Sequence, residues 1–135
     1  MIVVVCVDDK DGMMFNHRRQ SQDRLLRADL LTLVGSGRLW MNAYSRKQFT
    51  EETGTDIVIA ENFLEQAADG DYCFVEDLDA ALWLPRVEAV LVYRWNRHYP
   101  ADSYLNHQLL EGLAIADTKE FAGSSHEKIT RELYR

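Results

Sequence analysis

IVVVCV, residues 2–7, is continuously apolar and largely β-branched. A run of six such residues is too short for a core helix and reads as a strand buried on both faces, the kind found in parallel or mixed central sheets. A strand of that type needs a layer on each side, and the neighbouring sequence supplies candidates. DDKDG at 8–12 is a turn cluster ending in glycine. Residues 20–34, QSQDRLLRADLLTLV, place Leu25, Leu26, Ala28, Leu30, Leu31, Leu33 and Val34 at helical spacing, which predicts an amphipathic helix. Ser21 is the expected N-cap, with Asp23 in the first turn where the helix dipole favours an anion. GSG at 35–37 stops the helix.

Further along, RLWMN at 38–42 predicts a strand and AYSRKQFTEET at 43–53 a helix ended by Gly54. DIVIA at 56–60 is another strand, followed by a short helix or turn in NFLEQAADGD. YCFVED at 72–77 predicts a strand, LDAALWL at 78–84 a helix stopped by Pro85, and VEAVLVYRW at 87–95 a second strongly apolar strand. Residues 103–109 and 113–121 read as extended, and AGSSH at 122–126 as a turn. The closing EKITRELYR, 127–135, alternates like a strand, while its Ile129–Leu133 spacing also permits a helix. The expected fold class is α/β: one three-layer domain over 1–135, with a mostly parallel mixed sheet and antiparallel C-terminal strands extending one edge.

With 15 Lys and Arg against 22 Asp and Glu, the net charge is −7, which argues against coating nucleic acid through the overall field. A local basic patch remains compatible with binding one phosphate or a short strand. Cys6 and Cys73 each lie within an apolar run and are expected to be buried free thiols in a reducing compartment. No apolar run approaches the about 20 residues of a membrane span, and Met1 leads straight into the first strand without a basic leader. A cytoplasmic location and no membrane partner are therefore expected.

In open α/β sheets ligands sit outside the carboxyl ends of the strands, so the residues that follow each strand are the candidates. NHRRQSQDR at 16–24 follows the first strand, Asn42, Tyr44 and Ser45 follow the second, and RWNRH at 94–98 follows the late one. Two of these ends are basic in an acidic chain. Parallel strands would bring His17, Arg18, Arg19, Arg94, Arg97 and His98 to one rim, where arginine forks suit carboxylate or phosphate. Asn16 and Gln22 belong to the same candidate set, and His17 with Asp23 is a candidate acid–base pair. Trp95 and Tyr99 offer flat stacking surfaces, Trp95 reading equally as a packing residue, and His107 and His126 read as structural or surface residues. Asp8, Asp9 and Asp11 read as a polar turn or as carboxylates for Mg²⁺. No metal-ligand spacing, P-loop, dinucleotide fingerprint or nucleophile elbow is present, and no metal site is expected.

MIVVVCVDDKDGMMFN, followed by a helix bearing Asp23, resembles the opening of dihydrofolate reductases. RLWMNAYSRKQF, DIVIAENF, YCFVEDLDAAL, VEAVLVYRW, ADSYL and EFAGSSHEKITRELYR resemble, in order, that family's later elements across nearly the whole chain. The resemblance implies a dihydrofolate-reductase-like fold, with Asp23 either the counterpart of the pterin-contacting acid or a plain first-turn acid. The departures fall on the cofactor and substrate sites. The family's Gly-Gly after the late strand reads Tyr93-Arg94-Trp95, its phosphate-binding helix is replaced by NRHYPAD, its Met-Gly turn is Met41-Asn42, and its Pro-Trp pair is absent. No NADPH binding or reductase activity is expected from such a site. CVDD…NHRRQSQDR also resembles, more loosely, short proteins carried under the name ribonuclease Z, but the H-x-H-x-D-H run of the zinc hydrolases of that name is missing.

Three functions are compatible with these features. The first is a domain that has lost the dinucleotide site and binds a small anionic or heterocyclic, nucleotide-like ligand. The second is an RNA- or phosphoester-acting hydrolase using the 16–24 segment. The third is a non-catalytic homodimer joined through the terminal strands.

Overall fold

A computed structural model describes residues 1–135. The chain runs β1 (Ile2–Val7), β2 (Gly12–Phe15), β3 (Arg18–Arg19), α1 (Arg24–Val34), β4 (Arg38–Met41), α2 (Ala43–Arg46), β5 (Asp56–Ile59), α3 (Phe63–Gln66), β6 (Tyr72–Phe74), β7 (Ala89–Arg94), β8 (Ser103–Tyr104), β9 (Ile115–Phe121) and β10 (Ile129–Tyr134). Short 3-10 segments lie at Ala80–Arg86 and His107–Leu110. Seven strands form one sheet in the order β5-β4-β6-β1-β7-β10-β9. The first five of these are mutually parallel, and β10 pairs antiparallel with both β7 and β9. β1 sits near the middle, with Val3 opposite Cys73 on one side and Val90 on the other.

Alternation along β1 and β7 divides the core. Val3, Val5, Val90 and Val92 face a layer containing Phe63, Leu64, Leu105 and Leu109. Val4, Leu91 and Tyr93 face α1 through Leu26, Leu30 and Leu31. Each fully buried aliphatic side chain contributes about 1.5–3 kcal/mol relative to exposure. Burial pushes the Cys73 thiol up to about 12, so it packs as a small apolar group.

Several local expectations change. α1 begins at Arg24, and its N-cap is Asp23 rather than Ser21, because the Asp23 carboxylate accepts the N–H groups of Leu25 and Leu26. The helix expected over 43–53 ends at Arg46, before a segment carrying Thr50, Thr53, Gly54 and Thr55, all weak helix formers. The helix expected over 78–84 is instead the 3-10 segment Ala80–Arg86, which holds Pro85 inside it and is kinked at Trp83. Of the 103–109 stretch, only Ser103–Tyr104 is a strand. Residues 129–134 are a strand, so alternation prevails over the helical spacing.

The larger difference lies at 12–19. GMMF and RR pair as a hairpin, with Phe15 opposite Arg18. Asn16 and His17 form its two-residue turn at φ 51° and 60°, the left-handed pair that type I′ turns require. β8 adds to β2, giving a second sheet of order β3-β2-β8 beside the carboxyl end of β1. Gly12 makes that approach possible, since a Cβ there would lie 2.6 Å from the Ala101 Cβ.

Candidate functional site

The carboxyl ends of the central strands each terminate in a polar group held in place. After β1, Asp8 is buried; its Oδ1 accepts Lys10 N–H at 2.9 Å and Gly12 N–H at 2.8 Å. Its Oδ2 accepts Tyr99 N–H at 3.1 Å and Gln20 Nε2 at 3.2 Å. Burial alone would raise this carboxyl, but these hydrogen bonds outweigh it and hold the group below its usual range. One aspartate therefore closes the 8–12 turn and ties it to both the 20s and the 99 segment. Asp11 is also engaged, with Arg94 at 2.8 Å and His107 at 2.7 Å.

Asp23 anchors a second cluster. Its side chain is wholly buried, and it accepts the backbone N–H of Ser124 at 3.0 Å and of Ser125 at 2.9 Å in the loop before β10. His126 Nδ1 lies 3.0 Å from its Oδ2. Burial again opposes the charge, yet the Ser124, Ser125, His126 and Leu26 donors hold the carboxyl well below the usual carboxylate range. An ionised carboxylate only accepts, so Nδ1 of His126 carries the hydrogen. In the neutral ring, Nε2 is then an acceptor, and it faces the Tyr99 hydroxyl at 2.8 Å and Ser21 Oγ at 3.3 Å. Trp95 stacks on the imidazole at a centroid separation of 4.6 Å and 23° between planes. The result is a fixed Asp23–His126–Tyr99 chain joining the N-terminus of α1, the β9–β10 loop and the segment after β7.

The candidate residues fall into two groups around this chain. Arg19 is consumed by Glu76, which it binds through Nε at 3.0 Å and Nη2 at 3.1 Å. Its guanidinium lies 4.2 Å over the Tyr44 ring, and the backbone N–H of Arg19 donates to the Tyr44 hydroxyl at 2.9 Å. Ser45 Oγ donates to the same Glu76 at 2.8 Å, while Asn42 caps α2 and donates to Asp77 at 3.1 Å. Arg94 is held between Asp11 and Glu132. Trp95 is buried, so its packing role prevails. Gln22 accepts from Arg27 at 3.1 Å. Asn16 and His17 occupy the exposed hairpin turn, and the imidazole partner of Asp23 is His126, not His17. Among the arginines of the expected rim, Arg18 and Arg97 are exposed and form no ion pair.

Three clefts surround the 95–101 segment. One of about 320 Å³ lies between the β2–β3 hairpin and Tyr99–Pro100, with Phe15 and Arg18 on its wall. A second, of about 300 Å³, shares Phe15, Tyr99 and Pro100 and adds Lys10 and His98. The third, of about 500 Å³, is bounded by Arg97, His126 and Lys128. The two basic stretches thus adjoin through Tyr99 and Pro100, and Gln20 Nε2 reaches the Pro100 carbonyl at 3.4 Å. A separate hollow of about 210 Å³, beside Val5 of β1 and the segment after β6, is lined by apolar Met13, Val75 and Leu109 together with acidic Glu76, Asp77 and Asp79.

Sequence reasoning passed over Glu76, read Tyr99 only as a stacking surface and read His126 only as structural or surface. The strand-end rule applied to YCFVED would have pointed to Glu76. His126 and Asp23 stand 103 residues apart, and no local pattern connects them.

No protein-family model matches the chain, and no curated protein matches it. Among solved structures it is similar to dihydrofolate reductase from Enterococcus faecalis complexed with NADP(H) and RAB-propyl. That likeness has a TM-score of 0.67 and 6% identity, covering 99% of this chain and 94% of that one. The chain therefore has a dihydrofolate-reductase-like fold. At that identity the likeness establishes the fold and carries no activity with it.

Proposed function

We propose that this dihydrofolate-reductase-like domain has lost the dinucleotide site and binds a small anionic, ring-bearing ligand of nucleotide-like character. The ligand occupies the cleft between the β2–β3 hairpin and Tyr99–Pro100. One observation carries this reading: among the arginines of the expected rim, the unpaired Arg18 borders a cleft walled by two aromatic rings, Phe15 and Tyr99. Phe15 is 49% exposed although aromatic, while Tyr99 is fixed at its hydroxyl by His126 and at its N–H by Asp8. A fixed ring and an exposed ring suit stacking, and a free guanidinium suits phosphate or carboxylate.

The end of β7 supports the loss of the dinucleotide site. Arg94 is locked between Asp11 and Glu132, and Trp95 packs on His126, so bulky side chains occupy the ground where a pyrophosphate needs bare backbone. The chain continues through 96–102 without a helix, so no helix N-terminus is offered to a phosphate there. Asp23 has its oxygens engaged by the Ser124–His126 loop and is not free for a heterocycle.

Thermal unfolding with adenosine monophosphate, inorganic phosphate, folate and NADPH tests the proposal. Ligand at about a hundred times its dissociation constant adds about 2.7 kcal/mol, a shift of several degrees. The expected result is a rise with the monophosphate that Arg18→Ala abolishes and salt weakens. A rise with NADPH of the same size in Arg18→Ala, or no rise with any of the four, overturns it.

A further inference from the structure

We infer that the Tyr99 hydroxyl is a proton-transferring group, set for that role by His126 and Asp23. Its substrate class is a small anionic ligand carrying an ionisable hydroxyl or ring N–H. The inference rests on the proposed ligand cleft for its substrate and on the hydrogen-bond chain for its chemistry.

The direction of every hydrogen bond in the chain follows from the anchored end. Asp23 is ionised and accepts from Nδ1 of His126, which leaves Nε2 as acceptor for the Tyr99 O–H at 2.8 Å. Stacking on Trp95 and the bond to Asp23 prevent the ring from turning away. Tyr99 is half-buried and lines both clefts beside the hairpin. Its oxygen also lies 3.5 Å from Nη1 of Arg97, which forms no ion pair.

The transfer conserves atoms and charge. Tyr99 passes its hydroxyl proton to Nε2 of His126 as its oxygen takes the proton of the bound ligand. Tyr99 ends neutral, the ligand has lost one proton, and the imidazolium sits against the Asp23 carboxylate. Run backward, the same chain protonates the ligand. Asp23 and His126 are positioning residues, and Tyr99 is the group that touches the ligand. The other charged groups around the pair are Asp8, His98, Arg97, Glu127 and Lys128.

Acetylation of the intact protein by N-acetylimidazole reads this property without any ligand. Peptide mass spectrometry follows each of the six tyrosines. Tyr104, at 56% exposure and with no histidine partner, is the internal standard. Tyr99 is expected to react at least about tenfold faster than Tyr104, a threshold set below the roughly 10²–10⁴-fold that general-base assistance typically provides. His126→Gln and Asp23→Asn are expected to remove that advantage and the pH profile that accompanies it, leaving Tyr104 unchanged. The wild-type comparison needs no variant and stands if either substitution prevents folding. A Tyr99 rate no higher than that of Tyr104, or one unmoved by His126→Gln, overturns the inference. Because no ligand is present, a failure here is distinct from a failure of the monophosphate to bind.

Discussion

Asp23→Asn is the sharpest perturbation of the centre, because it changes one oxygen to an amide nitrogen at nearly constant volume. In the wild type, Oδ1 serves Leu25, Leu26 and Ser124 N–H, and Oδ2 serves Ser125 N–H at 2.9 Å and His126 Nδ1 at 3.0 Å. The amide oxygen keeps the first set and so keeps the helix cap. The amide NH₂ then faces two donors. His126 can answer by moving its proton to Nε2, which makes it accept from the new amide and donate to Tyr99. Ser125 N–H is left without an acceptor, and Tyr99 loses the base on its hydroxyl. One to two stranded buried donors cost about 2–4 kcal/mol, at about 1–3 kcal/mol each, with partial relief from the tautomer change. For a chain of this length that is a fall in Tm of about 6–16 °C. Circular dichroism melts at pH 7.5 measure it, with urea midpoints as a second reading. A variant that melts within 2 °C of the wild type would refute the idea that this carboxylate is a fully used buried acceptor.

Other outcomes follow from neighbouring contacts. Gly123→Ala drives a Cβ into the Asp23 carboxylate and to 2.9 Å from Ile129 Cδ1, so it should cost about 1–3 kcal/mol by differential scanning calorimetry. Glu76→Gln removes the charge that holds Arg19 and accepts from Ser45 and Gln48, so amide exchange should rise in the 12–20 hairpin while α1 stays protected. Asp29 accepts from Tyr93, Arg131 and Lys119; burial opposes its charge, but these donors hold its carboxyl below the usual range. Its stabilisation is complete above its unfolded value of about 4 and is lost as pH falls through the lower folded value. The gap in Tm between wild type and Asp29→Asn should therefore be about constant from pH 8 to 5 and narrow toward pH 3.

The layout was legible where hydrophobic pattern alone decides. Five apolar runs became the five parallel strands, and the alternation at 129–134 marked the antiparallel one. Local chemistry was harder to read. NHRR looked like a basic loop because its arginines stand out, yet its structure is set by Asn16 and His17 taking the left-handed conformation and by Gly12 admitting β8. Pro85 reads as a stop in an α-helix, but a 3-10 turn tolerates it. At the candidate site the sequence exposed the cations and hid their neutralisation. Arg19 and Arg94 are paired by Glu76, Asp11 and Glu132, residues 57, 83 and 38 positions away. The Asp23–His126–Tyr99 chain depends on three segments that only the sheet order brings together.

A titration of ¹⁵N-labelled protein with adenosine monophosphate, followed by amide chemical shifts, reads occupation of the hairpin cleft residue by residue. Occupation of the proposed cleft predicts shifts concentrated at residues 15–20 and 97–101 and absent from the same titration of Arg18→Ala. Shifts confined to the acidic hollow around residues 76–79 and 105–109, or no shifts at all, would contradict it.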